Sequence, residues 1–129
     1  MILIDSSAWV DFFRNRNPLA NIVDQAIEDD EATLCGPVIT ELRRGLSSTG
    51  RAKVLRFLQG CHAVEQPAQL WEEAGDLGYL LGRRGVAVKT LDLLIAATAL
   101  AYDLPILTRD SDFRHIKESG VAHLRLIDI

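Results

Sequence analysis

Short apolar runs, each followed by a stretch of helical periodicity, recur along this chain and confine it to a narrow set of folds. Ile2-Leu3-Ile4 stops at Asp5-Ser6-Ser7, residues that favour helix starts. Ala8, Trp9, Phe12 and Phe13 then recur at helical spacing towards Asn17-Pro18. Leu19, Ile22, Val23, Ala26 and Ile27 form a second helical stripe. Ala32-Thr33-Leu34-Cys35 reads as a strand, and Gly36-Pro37 opens a helix that runs to Gly45, with proline where its missing N–H costs nothing. After a loop at Ser47–Gly50 comes a short amphipathic helix, Arg51–Leu58, and then a brief strand, Ala63-Val64-Glu65. Leu70, Ala74, Leu77, Gly78 and Leu81 make another stripe, with Glu72, Glu73, Asp76 and Arg83 turned to solvent.

Leu91–Tyr102 differs, being apolar on nearly every side, as a helix at the centre of a domain must be. Pro105-Ile106-Leu107 predicts a strand, Thr108–Asp112 a turn, Phe113–Glu118 a helix ending at Gly120, and His123–Ile127 a last strand. Such alternation predicts βαβ units around a mostly parallel sheet, hence an α/β fold. The 129 residues fit one domain, 1–129, with no linker or repeat.

Composition excludes several classes of function. The cysteines Cys35 and Cys61 lack metal-ligand spacing, and His62, His115 and His123 are scattered, so a zinc site is not expected. No apolar run approaches about 18 residues, so no membrane span is expected. The start of the chain does not read as a signal peptide, which predicts a cytoplasmic protein. A net charge of −4 is unusual for a nucleic-acid binder. It is compatible with one only if acids concentrate in a cleft and cations line its rim.

The acids follow such a pattern. In a parallel sheet, ligands bind beyond the carboxyl ends of the strands. Asp5 follows the first strand, and Asp110 and Asp112 follow the strand ending at Leu107. Glu41 lies one turn into the helix after the second strand, and Asp92 sits in the first turn of the apolar helix. Each alone has an ordinary structural explanation, as a helix cap, a dipole partner, a surface acid or a turn former. Together they place carboxylates from four separate stretches at one end of the sheet. Converging carboxylates repel and call for a hard divalent cation, Mg2+ or Mn2+, which can activate water against a phosphodiester. Ser6, Ser7 and Thr108 are placed to orient the acids by hydrogen bonds.

These residues resemble the PIN-domain nucleases, and in particular the VapC toxins of bacterial toxin–antitoxin pairs. The resemblance rests on Ile2-Leu3-Ile4-Asp5-Ser6-Ser7-Ala8-Trp9, Val38-Ile39-Thr40-Glu41-Leu42, Leu91-Asp92-Leu93-Leu94-Ile95-Ala96-Ala97 and Thr108-Arg109-Asp110-Ser111-Asp112-Phe113. It implies a PIN-like three-layer α/β/α domain with a short, mostly parallel central sheet. It also implies a Mg2+- or Mn2+-dependent endoribonuclease, usually a homodimer held inactive by a VapB-type antitoxin. By that resemblance Asp5, Glu41, Asp92, Asp110 and Asp112 are catalytic, with Asp5, Asp92 and Glu41 holding the metal. The match leaves the direct ligand of the Asp110/Asp112 pair open, and we favour Asp110 as the ligand with Asp112 as a supporting or second-metal acid. Arg43, Arg44 and Arg109 are expected to contact RNA phosphates, and Lys89 lies within reach in sequence of the same acidic end.

Rival readings are weaker on the residues. A phospho-acceptor domain generally needs adjacent acids after its first strand and a lysine near the end of its last strands, whereas serines follow Asp5. A phosphatase with an N-terminal Asp-x-Asp is disfavoured by Ser7. A PIN nuclease of RNA processing, or a non-catalytic RNA- or protein-binding module of the same fold, remains open.

Overall fold

The structure is a computed structural model that describes residues 1–129. In chain order it runs β1 (Ile2–Ile4), α1 (Ser6–Phe13), α2 (Leu19–Glu28), β2 (Ala32–Leu34), α3 (Gly36–Gly45) and α4 (Arg51–Gln59). There follow β3 (His62–Ala63), α5 (Leu70–Arg83), α6 (Thr90–Tyr102), β4 (Ile106–Leu107) and α7 (Ser111–Ser119). The four strands form one sheet in the order β3-β2-β1-β4, with every pairing parallel. The expected α/β architecture is present.

This strand order positions the site. From β1 the chain winds outward through β2 to β3, then returns across the sheet to place β4 on the other side of β1. The direction of winding therefore reverses between β1 and β4, where an open parallel sheet forms a crevice at its carboxyl edge. Leu3 pairs with Ile106 and Ile4 with Leu107. The Asp5 N–H donates to the Leu107 carbonyl at 3.0 Å, so the residues just past both strands are tied side by side.

Packing explains the helices. Leu3, Ile4, Trp9, Val23, Leu34, Val38, Ile95, Ile106 and Phe113 belong to a continuous core that reaches from the sheet into α1, α2, α3, α6 and α7. Helix α6 lies within it and touches α3, α5 and α7. Its Ile95, Ala96, Ala97, Thr98 and Ala99 are all buried, which accounts for its lack of a polar face. Gly78 lets α5 approach: a Cβ there would sit 2.8 Å from Leu93 Cδ1.

Two strands differ from expectation. The third occupies His62–Ala63 rather than Ala63–Glu65, although the Val64 N–H still donates to the Leu34 carbonyl. It is an edge strand with both residues exposed, so no inward alternation marks its register. The expected last strand at His123–Ile127 reduces to one parallel bridge, Ile106 to Leu126. Leu124 is buried there, but its neighbours His123 and Arg125 are exposed, and no further ladder forms beyond that bridge. Both cysteines are free, with Cys35 buried and Cys61 half-buried.

The core position of α6 gives a stability contrast. Ile95→Ala, at a fully buried site, is expected to cost about 3 kcal/mol in denaturant unfolding. Leu80→Ala, on the exposed side of α5, is expected to cost less than about 0.5 kcal/mol. Equal costs would contradict the core assignment.

Candidate active site

The acids gather at the carboxyl edge of β1 and β4. Asp92, Asp110 and Asp112 each bring a carboxylate oxygen within 4.8 Å of the other two. Asp92, in the first turn of α6, is buried, while Asp110 and Asp112 at the start of α7 are half-buried. Asp110 is the α7 N-cap and accepts from the Asp112 N–H at 2.9 Å. That bond occupies Oδ1 and leaves Oδ2 turned towards Lys89, whose Nζ is 3.4 Å away.

Asp5 and Glu41 border this trio. Asp5 is only 3% exposed and stands at the N-cap of α1, yet its side chain makes no capping hydrogen bond. Its Oδ2 instead accepts from Thr108 Oγ1 at 2.8 Å and Ser7 Oγ at 2.9 Å. Capping therefore does not explain this buried carboxylate. Glu41, half-buried on α3, accepts from Ser6 Oγ at 3.0 Å. The three hydroxyls singled out in the sequence each lie against an acid. Thr108 Oγ1 also accepts from the Asp110 N–H, and Ser7 Oγ from the Arg109 N–H. One hydrogen-bonded lattice thus joins the ends of β1 and β4.

Electrostatics record the crowding. Burial pushes the Asp92 carboxyl up from 3.8 to about 7, helped by contact with Asp112 and the charge of Asp110 and opposed by Lys89. Glu41 is also raised, chiefly by burial, with Asp5 and Asp110 adding repulsion while Ser6 and Lys89 oppose. Lys89 is raised in turn by Asp92 and Asp110. Asp92 Oδ2 is buried and makes no hydrogen bond, although the Lys89 ammonium lies 3.5 Å from it. A buried, unpartnered carboxylate oxygen beside two further carboxylates fits a hard divalent cation, and the all-oxygen donor set suits Mg2+ or Mn2+. Asp92, Asp110 and Asp112 form the most compact donor set, with Asp5 and Glu41 flanking it.

The basic residues divide. Arg43 and Arg44 are exposed in the last turn of α3. Arg109 differs: its Nε lies 3.1 Å from Asp11 Oδ2 and its second nitrogen 3.3 Å from Oδ1, a bidentate pair with a buried aspartate. The guanidinium that sequence reasoning directed at RNA thus braces the Thr108–Asp112 turn against α1. Sequence reasoning missed Asp11, though a signal exists, since an acid three residues after Ala8 falls on the inward face of α1. It also kept Lys89 among the rim cations, although its i, i+3 spacing to Asp92 points into the cluster.

A parallel α/β domain with a carboxylate cluster at its winding reversal has the donor set for a hard cation at the strand ends, where open parallel sheets bind ligands. The chain belongs to the PIN-domain family, whose family model matches residues 2–119. It is 32% identical to the VapC ribonuclease Mb1587 of Mycobacterium bovis over 88% of this chain and 89% of that protein. Ribonuclease VapC11 of Mycobacterium tuberculosis matches to the same extent. Among solved structures, VapBC2 from Rickettsia felis, bound to a DNA fragment from its promoter, aligns with a TM-score of 0.78 at 22% identity, covering 98% of each chain. FitAcB from Neisseria gonorrhoeae aligns with a TM-score of 0.73 at 19% identity, covering 99% of this chain and 97% of that one. These two likenesses establish the fold.

Two outcomes follow from the geometry. Asp92 has a raised pKa, so its protonated form contributes stability below pH 3.8 that is lost as pH rises through about 7. A cation must displace that proton, so Mn2+ affinity measured by calorimetry is expected to climb with pH up to about 7 and then level off. A flat profile from pH 5 to 8 would contradict it. Asp11→Ala removes the brace and should cost about 1–2 kcal/mol in unfolding, the Arg109 side being half in solvent. An unchanged midpoint would show the pair to be incidental.

Proposed function

We propose that this chain is a divalent-metal-dependent endoribonuclease and the toxin of a VapBC-type pair. The observation that carries the reading is the Asp92/Asp110/Asp112 trio with its unpartnered buried oxygen. The two VapC ribonucleases that match most of the chain supply the substrate class. Asp5, Glu41, Asp92 and Asp110 are the proposed metal-holding acids, and Asp112 adds an oxygen or supports a second ion. When bound, Mg2+ or Mn2+ polarises the phosphodiester and lowers the pKa of an attacking water. The protein's own part is to hold the acids in register through Ser6, Ser7 and Thr108. Arg43 and Arg44 are the proposed phosphate contacts, with Arg109 acting first as a brace. A structured RNA, transfer or ribosomal, is the proposed target.

The partner reading draws on a groove of about 440 Å³ lined by Val10, Phe13, Leu46 and Val54, with Ser6 and Glu41 at its wall. Beside it Trp9, Phe12, Phe13 and Phe57 pack, mostly edge to face, as one aromatic cluster, and Phe57 is partly exposed. A VapB-type antitoxin seated on this apolar surface would approach the acids and block them. The VapBC2 complex is the fold-level precedent for such a partner. A homodimer is proposed through the exposed Trp71 and Tyr79 of α5. No helix is long and apolar enough to cross a membrane, and cytoplasmic action on RNA is the proposed setting.

The test is cleavage of total RNA by purified protein in Mg2+ or Mn2+, with ends mapped by sequencing. Asp5→Asn, which removes charge and keeps shape, is expected to lower the rate by more than about a hundredfold with an unchanged melting temperature. Induced alone, the wild-type chain should arrest growth, and a co-expressed neighbouring antitoxin should restore it. Cleavage without growth arrest would favour a PIN nuclease of RNA processing. Intact RNA in Mg2+ would favour a non-catalytic binding module.

A further inference from the structure

Lys89 stands where no cation is needed to cap a helix or fill a core. It is the N-cap residue of α6, its side chain is 70% exposed, and its backbone is extended. Exposure alone would leave its ammonium without a charged partner. Instead its ammonium lies 3.5 Å from Asp92 Oδ2 and 3.4 Å from Asp110 Oδ2, with Asp112 acting on it as a third negative charge. Asp92 and Asp110 come from different elements, so the ammonium bridges the start of α6 to the start of α7.

The atoms involved matter. Asp92 Oδ2 is the oxygen left buried without a hydrogen bond, and the lysine contact to it is an ion pair at 3.5 Å. Asp110 Oδ2 is the oxygen that the α7 cap leaves free. A divalent cation held by these acids would draw on the same pair of oxygens. An ammonium and a divalent cation cannot both sit against them, since like charges at such spacing repel strongly. The two positions are therefore alternatives.

The lysine is also suited to leave. Most of its side chain is in solvent, where water screens its ion pairs and can rehydrate the ammonium, so its flexible stem can swing clear at low cost. We propose that Lys89 is a built-in counter-ion of the acidic cluster, which relieves carboxylate repulsion in the metal-free protein and is displaced when a divalent cation binds. This rests on the metal-binding reading above. It makes Lys89 a residue that sets how much metal the site requires, and one that opposes metal entry while stabilising the empty cluster.

Calorimetric titration with Mn2+ separates the possibilities. The proteins compared are wild type, Lys89→Met, Lys89→Arg and Lys53→Met, the last a control for net charge on the exposed side of α4. Lys89→Met is expected to bind Mn2+ about threefold to tenfold more tightly than wild type, as loss of two partly exposed charge contacts implies. In EDTA the same variant should melt below wild type, with the gap closing at saturating Mn2+. Lys89→Arg and Lys53→Met should stay near wild type in both measurements. Equal or weaker Mn2+ binding by Lys89→Met overturns the proposal while leaving the metal site standing. Equal tightening by Lys53→Met also overturns it, because bulk charge would then suffice. Absence of Mn2+ binding by wild type overturns the metal reading, and this inference with it.

Discussion

Mutual repulsion among carboxylates is the constraint around which this structure is arranged. Three aspartates brought within 4.8 Å of one another oppose folding unless something compensates. The protein supplies part of the compensation itself. Thr108 and Ser7 donate to Asp5, Ser6 donates to Glu41, and the Lys89 ammonium faces Asp92 and Asp110. The remainder is visible as the Asp92 carboxyl raised to about 7 and its unpartnered oxygen. A domain that tolerates such a cluster at its carboxyl edge carries the donor set for a cation at the place where parallel sheets bind ligands.

The scaffold makes the aim possible. Strands of two or three residues are too short to define a site alone, but the β1–β4 pairing fixes Asp5 beside Thr108. Helix α6 delivers Asp92 from within the core, where Ile95 and the alanines around it leave little freedom of position. The Asp11–Arg109 pair ties the turn bearing Asp110 and Asp112 back to α1. Each acid is thus positioned by a different element, and each element is anchored in the same core.

Much of this was legible in the residues because period and chemistry agreed. The stripes of α2 and α5 and the all-round apolar character of α6 follow from burial, and burial leaves its period in the sequence. The acids could be located because strand ends are marked by capping residues. The resemblance to PIN domains then supplied the three-layer arrangement and the roles of the acids. What escaped had no such signal. The edge strand His62–Ala63 is exposed on both faces, and the Leu126 bridge is a single pairing, so neither carries an alternation. The direction of a long cation is likewise set by tertiary charge: Arg109 and Lys89 looked alike as rim residues, and only folding showed each turned towards an aspartate.

A cation held between α6 and α7 is the central feature of the proposed site. Anomalous diffraction from crystals grown with Mn2+ tests it most directly. A peak is expected within about 2.2 Å of carboxylate oxygens from Asp92 and Asp110, with Asp112 or Asp5 completing the shell. A peak elsewhere on the surface, or none at saturating Mn2+, would contradict it.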